Sequence, residues 1–139
     1  MRIEKTDSSI DKMPLLYSKD FYEWPQYWMG FEKDLDVGNK ILQEFIPFIG
    51  FLAQRNLARS TMRKYMSDLS VLGSEIIRRI HDNEKQRKWP AKKIILDYID
   101  DSGGPLPNCW NPNELTEQRY ITAYDSVCRR LHRFLSSLN

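Results

Sequence analysis

The stretch VGNKILQEFIPFIGFLAQRN places apolar residues at 41, 42, 45, 46, 48, 49, 51 and 52. At 100° per residue these positions cover almost the whole circumference of a helix. A helix with so little polar surface has to be buried at the centre of a helical body. Asn39 is its expected start. Pro47 lacks a backbone N–H and its ring clashes with the carbonyl four residues back, so a kink or a break into two pieces is expected there.

The partners that bury this segment are also legible. In RNLARSTMRKYMSDLSVLGSEIIRRI, residues 55–80, apolar side chains fall at Met62, Tyr65, Met66, Leu69, Leu72, Ile76 and Ile80. That spacing gives one stripe facing a core. Ser60 or Thr61 is the expected cap, accepting a bond from an unpaired backbone N–H of the first turn. Arg63, Ser67, Ser70, Ser74 and Arg78 run along a neighbouring flank, and Glu75 stands four residues before Arg79. Residues 81–90, HDNEKQRKWP, read as a polar linker. Pro90 then suits the first turn of a short helix carrying Ile94, Ile95, Tyr98 and Ile99. SGGPLPNCWNPN, 102–113, is a loop by its Gly, Pro and Asn content. Gly103-Gly104 lacks the Lys-Ser/Thr of a phosphate-binding loop. From Glu114 to Leu138, apolar residues at 120, 121, 124, 127, 131, 134, 135 and 138 define a last helix. Its other face gathers Arg119, Thr122, Ser126, Arg129, Arg130 and Arg133, and Asp125 can pair with Arg129.

No sustained alternation of strand period occurs anywhere. The expected fold is all-α, a bundle of four to five helices spanning residues 37–139, with an aromatic-rich arm or lid over residues 1–36. Residues 1–20 are polar and read as loosely held. In FYEWPQYWMGF, residues 21–31, six of eleven side chains are aromatic. Such a cluster is costly to leave in water. It can close on the body as a lid. It can instead dock on a second copy or a protein partner through Trp24, Tyr27, Trp28 and Phe31. Glu23, Glu32 and Asp34 make it a poor platform for nucleic-acid bases, which bring phosphates with them.

Charge is distributed unevenly. Residues 1–54 hold six Lys/Arg and nine Asp/Glu, residues 55–93 eleven and four, and residues 94–139 four and six. The net charges are −3, +7 and −2, so the overall +2 hides a basic middle able to produce a local field. The longest apolar run, 45–52, is interrupted by Pro47 and Gly50 and is too short to span a membrane. The N-terminus has acids where an export signal is apolar. Two cysteines, Cys109 and Cys128, set no disulfide framework. These features together point to a cytoplasmic protein.

Reactive constellations are sparse. His132 and Cys128, four apart on one helix, make half a zinc site, but Cys109 and His81 supply no second half. Cys128 has no base in its pattern and reads as a small buried thiol. The acids of LDYIDD read as a solvated helix end. The expectation is therefore no enzyme, no metal, no cofactor and no small-molecule substrate.

The segment FLAQRNLARSTMRKYMSDL, residues 51–69, resembles the start of the core-binding domain of tyrosine recombinases, the phage integrases. The resemblance rests on Leu57, Ser60-Thr61, Tyr65 and Leu69 after an apolar helix and a small loop. RYITAYDSVCRRLHRFL, residues 119–135, is similar to that family's last helix, ending in Phe134 and Leu135. The stretch YWMGFEKDL is similar to small bacterial proteins. The recombinase resemblance implies a SAM-like bundle in which the second and last helices press on duplex DNA. Carried over, it places Arg59, Ser60, Thr61, Arg63 and Lys64 against phosphates at the start of one helix, and Arg119, Arg129, Arg130 and Arg133 against them from the other. Lys, Arg and hydroxyl side chains suit that task, and a helix N-terminus favours an anion. The residues of the recombinase catalytic domain are not in this chain, and Tyr65, Tyr120 and Tyr124 lie on apolar stripes and read as core. The expected role is thus a stand-alone, non-catalytic module binding double-stranded DNA. The alternative is a protein-interaction or homodimerisation module.

Overall fold

A computed structural model describes residues 11–137. The first ten residues of the expected loose arm, and Leu138 at the end of the expected last helix, lie outside them. The fold is an all-α bundle: α1 (Trp24–Trp28), α2 (Asp34–Ala53), α3 (Arg59–Ile80), α4 (Ala91–Tyr98) and α5 (Leu115–Ser137). Short 3-10 turns at Met13–Leu16, Phe21–Glu23 and Glu84–Lys88 join them. No strand occurs among the described residues, only a single bridge between Asp100 and Gly103. No described helix is long and apolar enough to cross a membrane.

Helix α2 is central, packing against α1, α3 and α4, while α3 packs in turn on α5. Ile41, Leu42, Phe45, Ile46, Phe48, Ile49 and Leu52 are all buried. One expectation for α2 is corrected, and of the two expected outcomes at Pro47 the break is ruled out. It begins at Asp34 rather than Asn39, because acids at Asp34 and Asp36 suit the positive end of the helix. It also runs through Pro47 without a break. Pro47 faces solvent, and the turns on either side are clamped in the core. The helix is not buried all round in practice, since Phe51 is 41% exposed. Asn56 then reverses the chain at φ 56°, a left-handed conformation that Asn tolerates better than most residues.

Helix α3 starts at Arg59, before the expected caps. Its N-cap is Ala58, and no side chain caps it. Met62, Met66, Leu69, Leu72, Ile76 and Ile80 are buried as the stripe requires. The core also takes Gly73, against which the Trp28 ring lies so closely that a Cβ there would stand 2.2 Å from it. Phe21, Trp24 and Trp28 share one apolar cluster with α2, α3, α4 and α5. The Gly103-Gly104 pair plays a comparable part. A Cβ on Gly104 would meet Cys128 Sγ at 2.6 Å, and Gly103 adopts φ +138°. The loop is bonded onto α5 by Tyr124 OH to the Pro105 carbonyl (2.8 Å) and by the Gly104 N–H to Asp125 (3.1 Å). Asp125 is thus held by the loop, and it makes no ion pair with Arg129 among the described residues. Tyr124 is buried, but Tyr120, also expected in the core, is 46% exposed beside Trp110, because the first turns of α5 overhang the bundle.

Residues 81–90 are not a free linker. Asp34, 1% exposed, accepts hydrogen bonds from the Gly30 N–H (2.8 Å), the Phe31 N–H (3.0 Å), His81 Nε2 (2.9 Å) and Arg87 Nη1 (2.7 Å). Burial alone pushes this carboxyl up, but the bonds from His81, Phe31, Gly30 and Arg87 outweigh it and hold it well below the usual carboxylate range. A carboxylate held below its ordinary value of 3.8 stabilises the fold above that pH and loses the contribution as pH falls further. Asp34→Asn is expected to cost about 3 kcal/mol at neutral pH, since it leaves Arg87 without its buried partner. Urea unfolding of the two proteins should show the gap narrowing steadily from about pH 5 to about pH 2. A gap independent of pH would contradict this assignment.

Candidate nucleic-acid interface

Two contrasting sets of cations stand out in the structure. One set is consumed by buried acids. Lys64 Nζ stands 2.8 Å from both oxygens of Asp68, which is 2% exposed. Burial pushes the Asp68 carboxyl up, and the ammonium of Lys64 only partly offsets this. Glu75, also buried, is bonded by Arg78 and by Arg79 Nε (2.6 Å), and Arg79 reaches the Leu106 carbonyl as well. Arg87 joins Asp34 and Glu84, and Glu84 also takes Lys33. These groups hold the fold, and each of these cations already has a carboxylate partner.

The second set lies at the start of α3 and along α5. Arg55, Arg59, Arg63, Arg119, Arg129, Arg130 and Arg133 make no ion pair among the described residues. Arg59, Ser60 and Arg63 are exposed in the first turns of α3, and Thr61 is half-buried. Arg59 lies over the Tyr17 ring at 6.0 Å. With no side-chain cap on α3, its first backbone N–H groups stay open to an acceptor. Arg130 of α5 lies over Tyr65 of α3 at 5.9 Å, which brings the two basic faces side by side. Arg130 and Arg133 share one shallow hollow with Phe51, Arg55, Phe134 and Ser137. Arg119 and Arg129 line another, with Thr122 and Ser126. Neither hollow is lined by a carboxylate.

Among the residues expected to meet DNA, then, Lys64 is tied to Asp68, while the arginines of α3 and α5 carry unmatched charge. Arg55 escaped the sequence reading because it sits in a short turn outside any helical stripe. Its signal was Phe51 four residues earlier, over whose ring it lies at 5.6 Å. Of the aromatic residues expected to face a partner, Trp24 and Trp28 are only 3% and 7% exposed, because their large apolar surfaces fill the core. Tyr27 and Phe31 are 60% and 55% exposed. Phe31 nonetheless packs on His81 at 5.0 Å and lies under Lys33.

Burial pushes the Cys128 thiol up, and Cys109, though exposed, is raised as well by the partial burial of its sulfur. Among the described residues no group of His, Cys, Asp and Glu is arranged to hold a metal ion. Comparison with protein-family models, curated proteins and solved structures gives no match.

The division into two sets is directly measurable. Arg87→Ala is expected to lower unfolding free energy by about 3 kcal/mol, because it strands a buried charge. Arg130→Ala and Arg133→Ala should each change it by less than about 0.5 kcal/mol, as exposed side chains do. The reverse order in urea unfolding would overturn the division.

Proposed function

We propose that this chain is a non-catalytic module that binds double-stranded DNA through its phosphates, using the start of α3 and the solvent face of α5. The observation that carries the reading is the group of arginines on these two neighbouring faces with no carboxylate partner among the described residues. Fixed guanidinium groups with open N–H donors are suited to phosphate oxygens. The open first turn of α3 adds backbone N–H groups and the positive end of a helix dipole. The recombinase resemblance in Phe51–Leu69 and Arg119–Leu135 points to the same two elements, and with it to a SAM-like arrangement of the bundle. Lys64 stays with Asp68 in this reading and contributes little.

A second reading, a protein-interaction or homodimerisation module, is favoured by Tyr27 and Phe31. They place two large rings at the surface, Phe31 against His81 of the Asp34 cluster and Tyr27 at a hollow it shares with Glu75 and Cys109. Ring surface of this kind is enriched where proteins meet.

Contact with about four or five phosphates gives a log–log salt slope near −4 for duplex DNA. Fluorescence anisotropy with a labelled blunt duplex should show that slope. The double variant Arg63→Glu, Arg133→Glu should weaken binding at least about tenfold and flatten the slope by about two. Unchanged affinity in the folded double variant would refute the DNA reading.

A further inference from the structure

Duplex binding through phosphates leaves one feature of the arginine surface unexplained. Phe51 projects from the last turn of α2 with 41% of its surface exposed, in the middle of a cationic hollow. Its ring is tilted against Phe134 (interplanar angle 39°), and these two rings form the aromatic floor of the hollow, with the buried ring of Phe48 stacked on Phe51 from the core side (22°). The Arg55 guanidinium lies over Phe51, and Arg130 and Arg133 stand at the rim. An exposed phenyl ring costs hydration free energy and gains nothing from a phosphate oxygen. In an intact duplex the faces of the bases are covered by their stacked neighbours, so the ring has nothing there to pack on.

The geometry points to an unpaired nucleotide as the occupant: we propose that this hollow takes a single-stranded tail or frayed end of the DNA. Its base would stack on Phe51 or on the Arg55 plane above it, and its phosphate would face Arg130 and Arg133. Aromatic rings and Arg planes are the surfaces on which unstacked bases settle, and neighbouring cations follow the backbone. Charge complementarity sets this occupant apart from an apolar peptide, since the hollow carries three arginines and no acid. The neighbouring hollow of Arg119 and Arg129 has no ring in its lining and is suited to backbone alone. The preference for an unpaired end deepens the DNA reading and rests on it.

Three labelled probes separate the two: a blunt hairpin duplex, the same hairpin with a six-nucleotide unpaired tail, and the same hairpin with a tail of abasic sugar-phosphates. The base-bearing tail is expected to bind about tenfold more tightly than the abasic one, the effect of stacking one or two bases. Phe51→Leu keeps the apolar volume and removes the ring. It should bring the two tailed probes to within about twofold while leaving blunt-duplex affinity unchanged. Equal binding of the base-bearing and abasic tails by the unaltered protein would overturn the stacking site and leave duplex binding standing. Failure of all three probes to bind would overturn both. A Phe51→Leu protein that stays folded and keeps the full preference would also overturn the site.

Discussion

The carboxylate of Asp34 is the interaction on which the arrangement of this chain depends. It is almost wholly buried and accepts bonds from the Gly30–Phe31 backbone, from His81 at the end of α3, and from Arg87 in the turn that follows. One side chain therefore fixes where α2 begins and where α3 ends, and it holds down a segment of mostly polar sequence. Removing a single partner would leave a charge in a site shielded from water. The ring of Trp28 lies close by in sequence. It is held against Gly73 at a distance only a glycine allows, just before the loop that Asp34 bonds.

That tie also sorts the charges. Helix α3 has 22 residues and is roughly 33 Å long. At its far end, His81, Arg87, Arg78 and Arg79 are committed to Asp34, Glu84 and Glu75. At its near end, Arg59 and Arg63 have no carboxylate partner among the described residues, and Arg130 of α5 lies alongside. The +7 of residues 55–93 is therefore not one basic surface. Part of it is internal to the fold, part stands at Arg55, Arg59 and Arg63 where α2 gives way to α3, and Lys85, Lys88, Lys92 and Lys93 lie apart from both, in the turn after α3 and in α4. In salt the field of these charges is screened within about 8 Å, and their small number limits its strength, which suits contact with a polyanion better than long-range steering.

Periodicity made the helices legible. Met62, Met66, Leu69, Leu72, Ile76 and Ile80, and likewise Val127, Leu131 and Leu135, lie in the core where a helical wheel puts them. The same rule fails for polar residues, because it assigns them to solvent. Asp34, Asp68, Glu75 and Gln86 are buried, each with a partner whose position depends on tertiary structure or on a neighbouring turn. It fails again for Phe51 and Tyr120, which have core-like identities but exposed places. For the candidate interface, the arginines of α3 and α5 were visible as residue types on helix flanks. That Lys64 is matched by Asp68 is an i,i+4 relation within α3, legible as spacing, whereas that Asp68 is buried and that Arg55 joins Arg130 and Arg133 requires the packing of the helices. The close contacts at Gly73 and Gly104 likewise carry no local sequence signal beyond the glycine itself.

The most direct test of this division of charge is an amide NMR titration of the full chain with a short duplex in low salt. Resonance shifts should be concentrated at Arg55–Arg63 and Arg129–Arg133, with the segments around Asp34, Glu75 and Arg87 unmoved. Shifts centred on Tyr27–Phe31 with a second copy of the chain, and none with DNA, would contradict the DNA reading and move the working surface to the aromatic segment.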